Sequence, residues 1–117
     1  MIGPRQSRLG HQLQQEIATI IHRELKDPRL GFVTITKVEL SGDLSHAKVA
    51  FSCLGGDQER MRTQEALDAA RGFIRSLVKK RLRLKIIPEI IFRYDETITQ
   101  AIDLATKLDQ LKRSTQR

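Results

Sequence analysis

A chain of 117 residues, 39% hydrophobic and 30% charged, has the composition of one globular domain and excludes collagen-like, disulfide-rich and low-complexity classes. No apolar run approaches the roughly 18 residues of a membrane span, and residues 1–10 are polar, without a signal-peptide core, so a cytoplasmic location is expected. The formal charge is +7, and seven of the 21 Lys and Arg fall in residues 71–85, where no acid stands, so the other 14 cations match the 14 acids.

In chain order, Ser7 can cap a helix whose apolar residues Leu9, Leu13, Ile17, Ile20, Ile21 and Leu25 recur at spacings of three and four. Pro28 disfavours helical geometry at Asp27, and Gly31 is a second breaker, so 27–31 reads as a connection. Phe32 to Leu40 is rich in β-branched residues, and its in-out alternation slips between Ile35 and Val38, which predicts a strand with a bulge. After the turn residues Ser41-Gly42-Asp43, the alternation of Ala47, Val49, Phe51 and Cys53 completes a hairpin. Cys53, the only cysteine, excludes an internal disulfide and reads as a small core residue.

Asp57 is placed to cap a helix carrying Met61, Ala66, Ala69, Ala70, Phe73, Ile74, Leu77 and Val78 on its inner side. Gly72 interrupts this pattern at about 1 kcal/mol relative to alanine, which predicts a kink or close backbone approach where two helices meet. Pro88 closes the unit, and Ile90, Phe92 and Tyr94 alternate as a third strand. Asp95 or Thr97 then caps a last helix with an apolar stripe of Ile98, Ile102, Ala105, Leu108 and Leu111 and with Lys107, Lys112, Arg113 and Arg117 toward its C-terminus. The whole is expected to be a single α+β domain over 1–117, with an ordered core of about 5–112 and a polar tail, Ser114 to Arg117.

Catalytic chemistry is poorly supplied. His11, His22 and His46 lack metal-site spacing, Cys53 belongs to no CxxC, and the nucleotide and hydrolase fingerprints are missing, so no metal, cofactor or catalytic residue is expected. Asp95-Glu96 is the best carboxylate pair, but its position between strand and helix favours capping. The basic stretch is different: Arg71, Arg75 and Lys79 lie at i, i+4 and i+8 along one helix edge, and Lys80, Arg81, Arg83 and Lys85 continue past it. Such a ridge suits a polyanion, with nucleic acid the first candidate. If all seven engaged duplex phosphates, the log-log salt slope would reach roughly −6. Phe32, Phe51, Phe73 and Phe92 are expected in the core, which leaves recognition to backbone and shape rather than base stacking.

The order helix, strand, strand, helix, glycine, helix, strand is that of a type II KH-like fold. A KH domain clamps nucleotides on a GxxG loop, but none of the seven glycines makes that spacing, and Ala70-Arg71-Gly72 stands in its place. Together with GFIRSLVKKRLRLKIIPEIIFRYD (Gly72 to Asp95) and ELKDPRLGFVTITKVELSGDLSHAKVAFS (Glu24 to Ser52), this resembles the ribosome-binding factor A family over about residues 5–112. The resemblance implies that Ala70, Arg71 and Gly72 form an interhelical kink and that the basic residues beyond it face rRNA near the decoding region and the 5′-terminal helix. It also implies a monomer that binds free 30S ribosomal subunits, assists late maturation of 16S rRNA and its precursor, and matters most in the cold. The alternatives from other classes are a generic basic nucleic-acid binder, a module for anionic membrane surfaces, a ribonuclease and a protein-interaction adaptor. The membrane reading is disfavoured because Phe73, Ile74, Leu77 and Val78 are needed to cover the sheet.

Overall fold

The computed structural model describes residues 4–115, with side chains over 5–97 and 104–112. The elements follow in the order α1 (Pro4–Arg23), β1 (Val33–Leu40), β2 (His46–Cys53), α2 (Asp57–Arg81), β3 (Glu89–Tyr94) and α3 (Glu96–Thr115). The three strands form one sheet in chain order, β1 antiparallel to β2 and β2 parallel to β3. A parallel pair needs a long crossover, and α2 supplies it. A mixed three-stranded sheet covered by α1 and α2, with α3 following it, makes an α+β, KH-like architecture.

The periodicities are realised as packing. Leu13, Ile17 and Ile20 of α1 and Leu67, Ile74 and Val78 of α2 are fully buried against Val33, Val49, Phe51, Ile90 and Phe92 of the sheet. Tyr94 meets Phe51 edge-on, with ring centroids 5.8 Å apart, and Arg60 stacks over Tyr94 at 4.0 Å. The register of β1 on β2 shifts between Ile35 and Lys37, where the slip in alternation predicted a bulge. Leu44 takes φ +62° in the β1–β2 turn, and the Ser41 and Ser45 hydroxyls donate to Asp43 Oδ1 at 2.8 and 2.7 Å. Those donors lower the Asp43 carboxyl to about 2, Ser45 contributing most.

Both sheet edges are occupied by side chains from the helices. Gln14 Nε2 of α1 donates to the carbonyls of Ile35 and Thr36, and Gln6 Nε2 donates to those of Leu40 and Ser41. On β3, Gln64 Nε2 of α2 donates to the Phe92 carbonyl at 2.9 Å. Satisfying edge carbonyls in this way blunts a strand against pairing with another chain.

Several expectations are corrected. α1 begins at Pro4, so Ser7 is an exposed residue within the helix rather than its cap. Gly56, not Asp57, is the N-cap of α2, and its N–H donates to Glu59 Oε2 at 2.9 Å. The two helices expected to meet at Gly72 are one continuous element of 25 residues, with Ala70, Arg71 and Gly72 inside it. Nor does Gly72 permit a close approach, because a Cβ built there meets no atom within 4 Å. Phe32 and Phe73 are 67% and 49% exposed, and Met61 is also largely exposed, so only Phe51 and Phe92 of the four phenylalanines are core.

The last helix departs furthest from its expected packing. Asp95 does cap it, accepting from the Thr97 N–H at 2.9 Å, while the Thr36 hydroxyl donates to its other oxygen at 2.6 Å. The Thr36 bond is the chief reason that the Asp95 carboxyl sits below its ordinary range. Leu108 and Leu111 of the predicted stripe are exposed, and among the described residues α3 has no substantial contact with another element. Ile98, Ile102, Arg113 and Ser114 to Arg117 lie outside the described side chains.

Candidate nucleic-acid interface

The C-terminal half of α2 and the segment that follows it position the basic residues. The helix stops where Leu82 N–H bonds back to the Val78 carbonyl and Leu84 N–H reaches the Lys79 carbonyl, at 2.9 and 3.0 Å. The second is the six-residue closure of a Schellman turn, and it places Arg83 at the left-handed position, φ +53°. Glycine is favoured there because it has no Cβ to clash. The chain then folds back, and a groove of about 500 Å³ is lined by Gly72, Arg75, Ser76 and Lys79 of α2 and by Lys85, Ile86 and Ile87 of the returning segment.

The seven predicted cations are thereby divided. Arg75, Lys79 and Lys85 are brought together around the groove. Arg71 is exposed one turn before Arg75, and Lys80 and Arg83 are exposed outside the groove. Arg75 is half-buried and structurally engaged: its Nη2 donates to the Ile87 carbonyl at 2.9 Å and its Nε to that of Pro88 at 3.4 Å. Arg81 turns toward α1, where its guanidinium lies 3.0 Å from Glu24 and 3.7 Å from Glu16. Five cations, Arg71, Lys79, Lys80, Arg83 and Lys85, therefore face water without a described acid partner.

Sequence reasoning missed two parts of this surface. Gly72 lines the groove, and Ile86, 83% exposed, presents an apolar side chain among the cations. The contrast of Ile86 outward with Ile87 buried is a two-residue alternation before Pro88 and β3, too short to read as a pattern. Chemically the groove offers cations for phosphates and an apolar patch for a sugar or base. Among the described residues, no three His, Cys, Asp or Glu side chains converge as metal ligands, and no helix is long and apolar enough to cross a membrane.

The profile of ribosome-binding factor A matches residues 5–108, which contain the groove and every predicted cation. The chain belongs to the ribosome-binding factor A family. The ribosome-binding factor A of Thermomicrobium roseum is 48% identical over 113 residues, covering 97% of this chain and 88% of its own. A Thermotoga maritima protein solved in solution shares the fold, with a TM-score of 0.71 at 40% identity over 80% of this chain and 89% of that one. A homology model of the Thermus thermophilus ribosome binding factor A, fitted into the cryo-EM map of a 30S complex, gives a TM-score of 0.63 at 26% identity, covering 74% and 91% of the two chains.

Proposed function

We propose that this chain binds the free 30S ribosomal subunit in the cytoplasm as a monomer and assists late maturation of 16S rRNA and its precursor, with most effect in the cold. The observation that carries the reading is the set of five exposed cations on the C-terminal half of α2 and the segment after it, Arg71, Lys79, Lys80, Arg83 and Lys85, of which Lys79 and Lys85 line the groove. Family membership and the Thermus relative's place in a 30S complex support the choice of partner. Arg75 and Arg81 belong to the same region but act first as supports, fixing the 87–88 segment and α1.

The mechanism is binding without catalysis. A domain with no energy source can act only by holding some rRNA conformations more tightly than others, which shifts a folding equilibrium by the difference in affinity. Five phosphate contacts in place of seven would give a log-log salt slope of roughly −4 to −5 on a duplex. Co-sedimentation with separated 30S, 50S and 70S particles at low and moderate salt tests the reading. Retention on free 30S alone at moderate salt is expected; equal, salt-labile binding to all three would demote the chain to a generic basic RNA binder.

A further inference from the structure

A second cavity lies at the other end of α2, away from the cationic surface. Val33 pairs with Cys53 at the open end of the hairpin, so Phe32 and Leu54 sit just beyond the ladder on adjacent strands. Both are largely exposed, at 67% and 74%. They line a cavity of about 320 Å³ together with Cys53, Arg29, Glu59 and Arg62. Its charged groups are unequal. Arg29 is held by Asp27 at 2.6 Å, and Glu59 accepts the Gly56 N–H. Arg62 is exposed, and no described acid lies within ion-pair distance of it.

We propose that this cavity takes one unstacked nucleobase of single-stranded rRNA, stacked on Phe32 beside Leu54, with a neighbouring phosphate on Arg62. An exposed aromatic beside an arginine that has no described ion-pair partner matches how unpaired RNA is held, by a π-face under the base and a cation on the backbone. An apolar protein segment would fill the space but make no use of the Arg62 charge. The inference rests on the chain binding rRNA and adds a second point of contact. Arg62 and Lys79 are 17 residues apart on one helix, which separates the two points by about 25 Å. Two linked contacts raise affinity beyond either alone when the RNA can span them.

The test compares the wild-type chain and Phe32→Ala in binding a fluorescein-labelled 12-nucleotide oligouridine and an abasic oligomer of the same length. Phe32→Ala should weaken oligouridine binding by about 10-fold and leave abasic binding and the thermal midpoint unchanged. Oligouridine should also slow alkylation of Cys53 by iodoacetamide, which the abasic oligomer should not. Equal affinity of the two proteins for oligouridine would overturn the proposal. So would a Phe32→Ala defect confined to 30S co-sedimentation, which would assign the cavity to an apolar protein partner. Failure of the broader rRNA reading is distinguishable, because Lys79→Glu/Lys80→Glu/Lys85→Glu would then keep full oligouridine affinity.

Discussion

Arg75 and Arg81 differ from Lys79, Lys80, Arg83 and Lys85 in what their charges already hold. All six carry the same charge within eleven residues, yet the two arginines are bound to the rest of the fold and the other four face water. The division follows position: a guanidinium can serve two acceptors at once, and Arg75 finds the Ile87 and Pro88 carbonyls and Arg81 the Glu16 and Glu24 carboxylates, whereas Arg83 has no such partner among the described residues and stays in water like the three lysines. A basic stretch read as one ridge thus mixes residues that hold the domain together with residues free to bind.

The sharpest way to break this comparison is to reverse the free charges. Lys79→Glu/Lys80→Glu/Arg83→Glu/Lys85→Glu should lower 30S association by more than about 100-fold at moderate salt, because each former contact becomes repulsive. Stability measured by urea unfolding should move by no more than about 1 kcal/mol, as exposed sites generally allow. Arg75→Ala should do the opposite. It strips the Ile87 and Pro88 carbonyls of a charged donor and should cost roughly 1.5–3 kcal/mol, with association reduced far less. Arg81→Ala, whose pairs are partly exposed, should cost only about 0.5–1 kcal/mol. If Arg75→Ala were thermodynamically silent and Lys79→Glu unfolded the chain, the division would be wrong.

Most of the scaffold was legible in the sequence because its signals are local and periodic. The three- and four-residue spacing of Leu13, Ile17 and Ile20 and the two-residue alternation of Ala47, Val49 and Phe51 each imply a buried face, and each face is buried. The bulge was legible for the same reason. What escaped was tertiary. Nothing local distinguishes Phe32 from Phe51: both continue a β-rich run, but Phe32 lies one residue outside the strand and α1 and α2 do not cover it. Likewise Arg75 and Lys79 occupy equivalent helical positions, and only the return of residues 85–88 makes one of them structural. The choice between an interrupted and a continuous helix at Gly72 was also not local, since an isolated glycine is compatible with both.

Asp95 sharpens the comparison from the acidic side, because it too is a charged residue spent on structure. Asp95→Ala removes the α3 cap and the Thr36 partner and should cost about 1 kcal/mol at neutral pH, without loss of 30S association. The sign with pH is fixed. Folding lowers this carboxyl, so its stabilisation is complete above the ordinary range of about pH 4 and is lost as pH falls through the lowered folded value. The gap between wild-type and Asp95→Ala unfolding free energies should therefore be constant from pH 7 to 5 and narrow below. A gap that widened on acidification would overturn the assignment.

Arg83 separates stability from binding at one position. Its φ of +53° costs an arginine about 1 kcal/mol relative to glycine. Arg83→Gly should stabilise the chain by about that amount while weakening 30S association and reducing the salt slope by about 1. A variant neutral in both measurements would mean that the turn relaxes around arginine without strain and that the side chain makes no phosphate contact.

Gly72 gives the smallest effect and the finest test. The helix around it is continuous, and a Cβ would meet no atom within 4 Å, so Gly72→Ala has no steric reason to destabilise. Helix propensity alone predicts a gain of roughly 0.5–1 kcal/mol, from the smaller backbone entropy that alanine loses on folding. The same Cβ adds a methyl group at a residue that lines the groove with Arg75 and Lys85. A more stable variant with weakened 30S association would show that the glycine is kept for room at the binding surface. A more stable variant that binds normally would place the ligand away from Gly72. A less stable variant would mean that the helix bends at this position in solution, as a hinge between two helices requires.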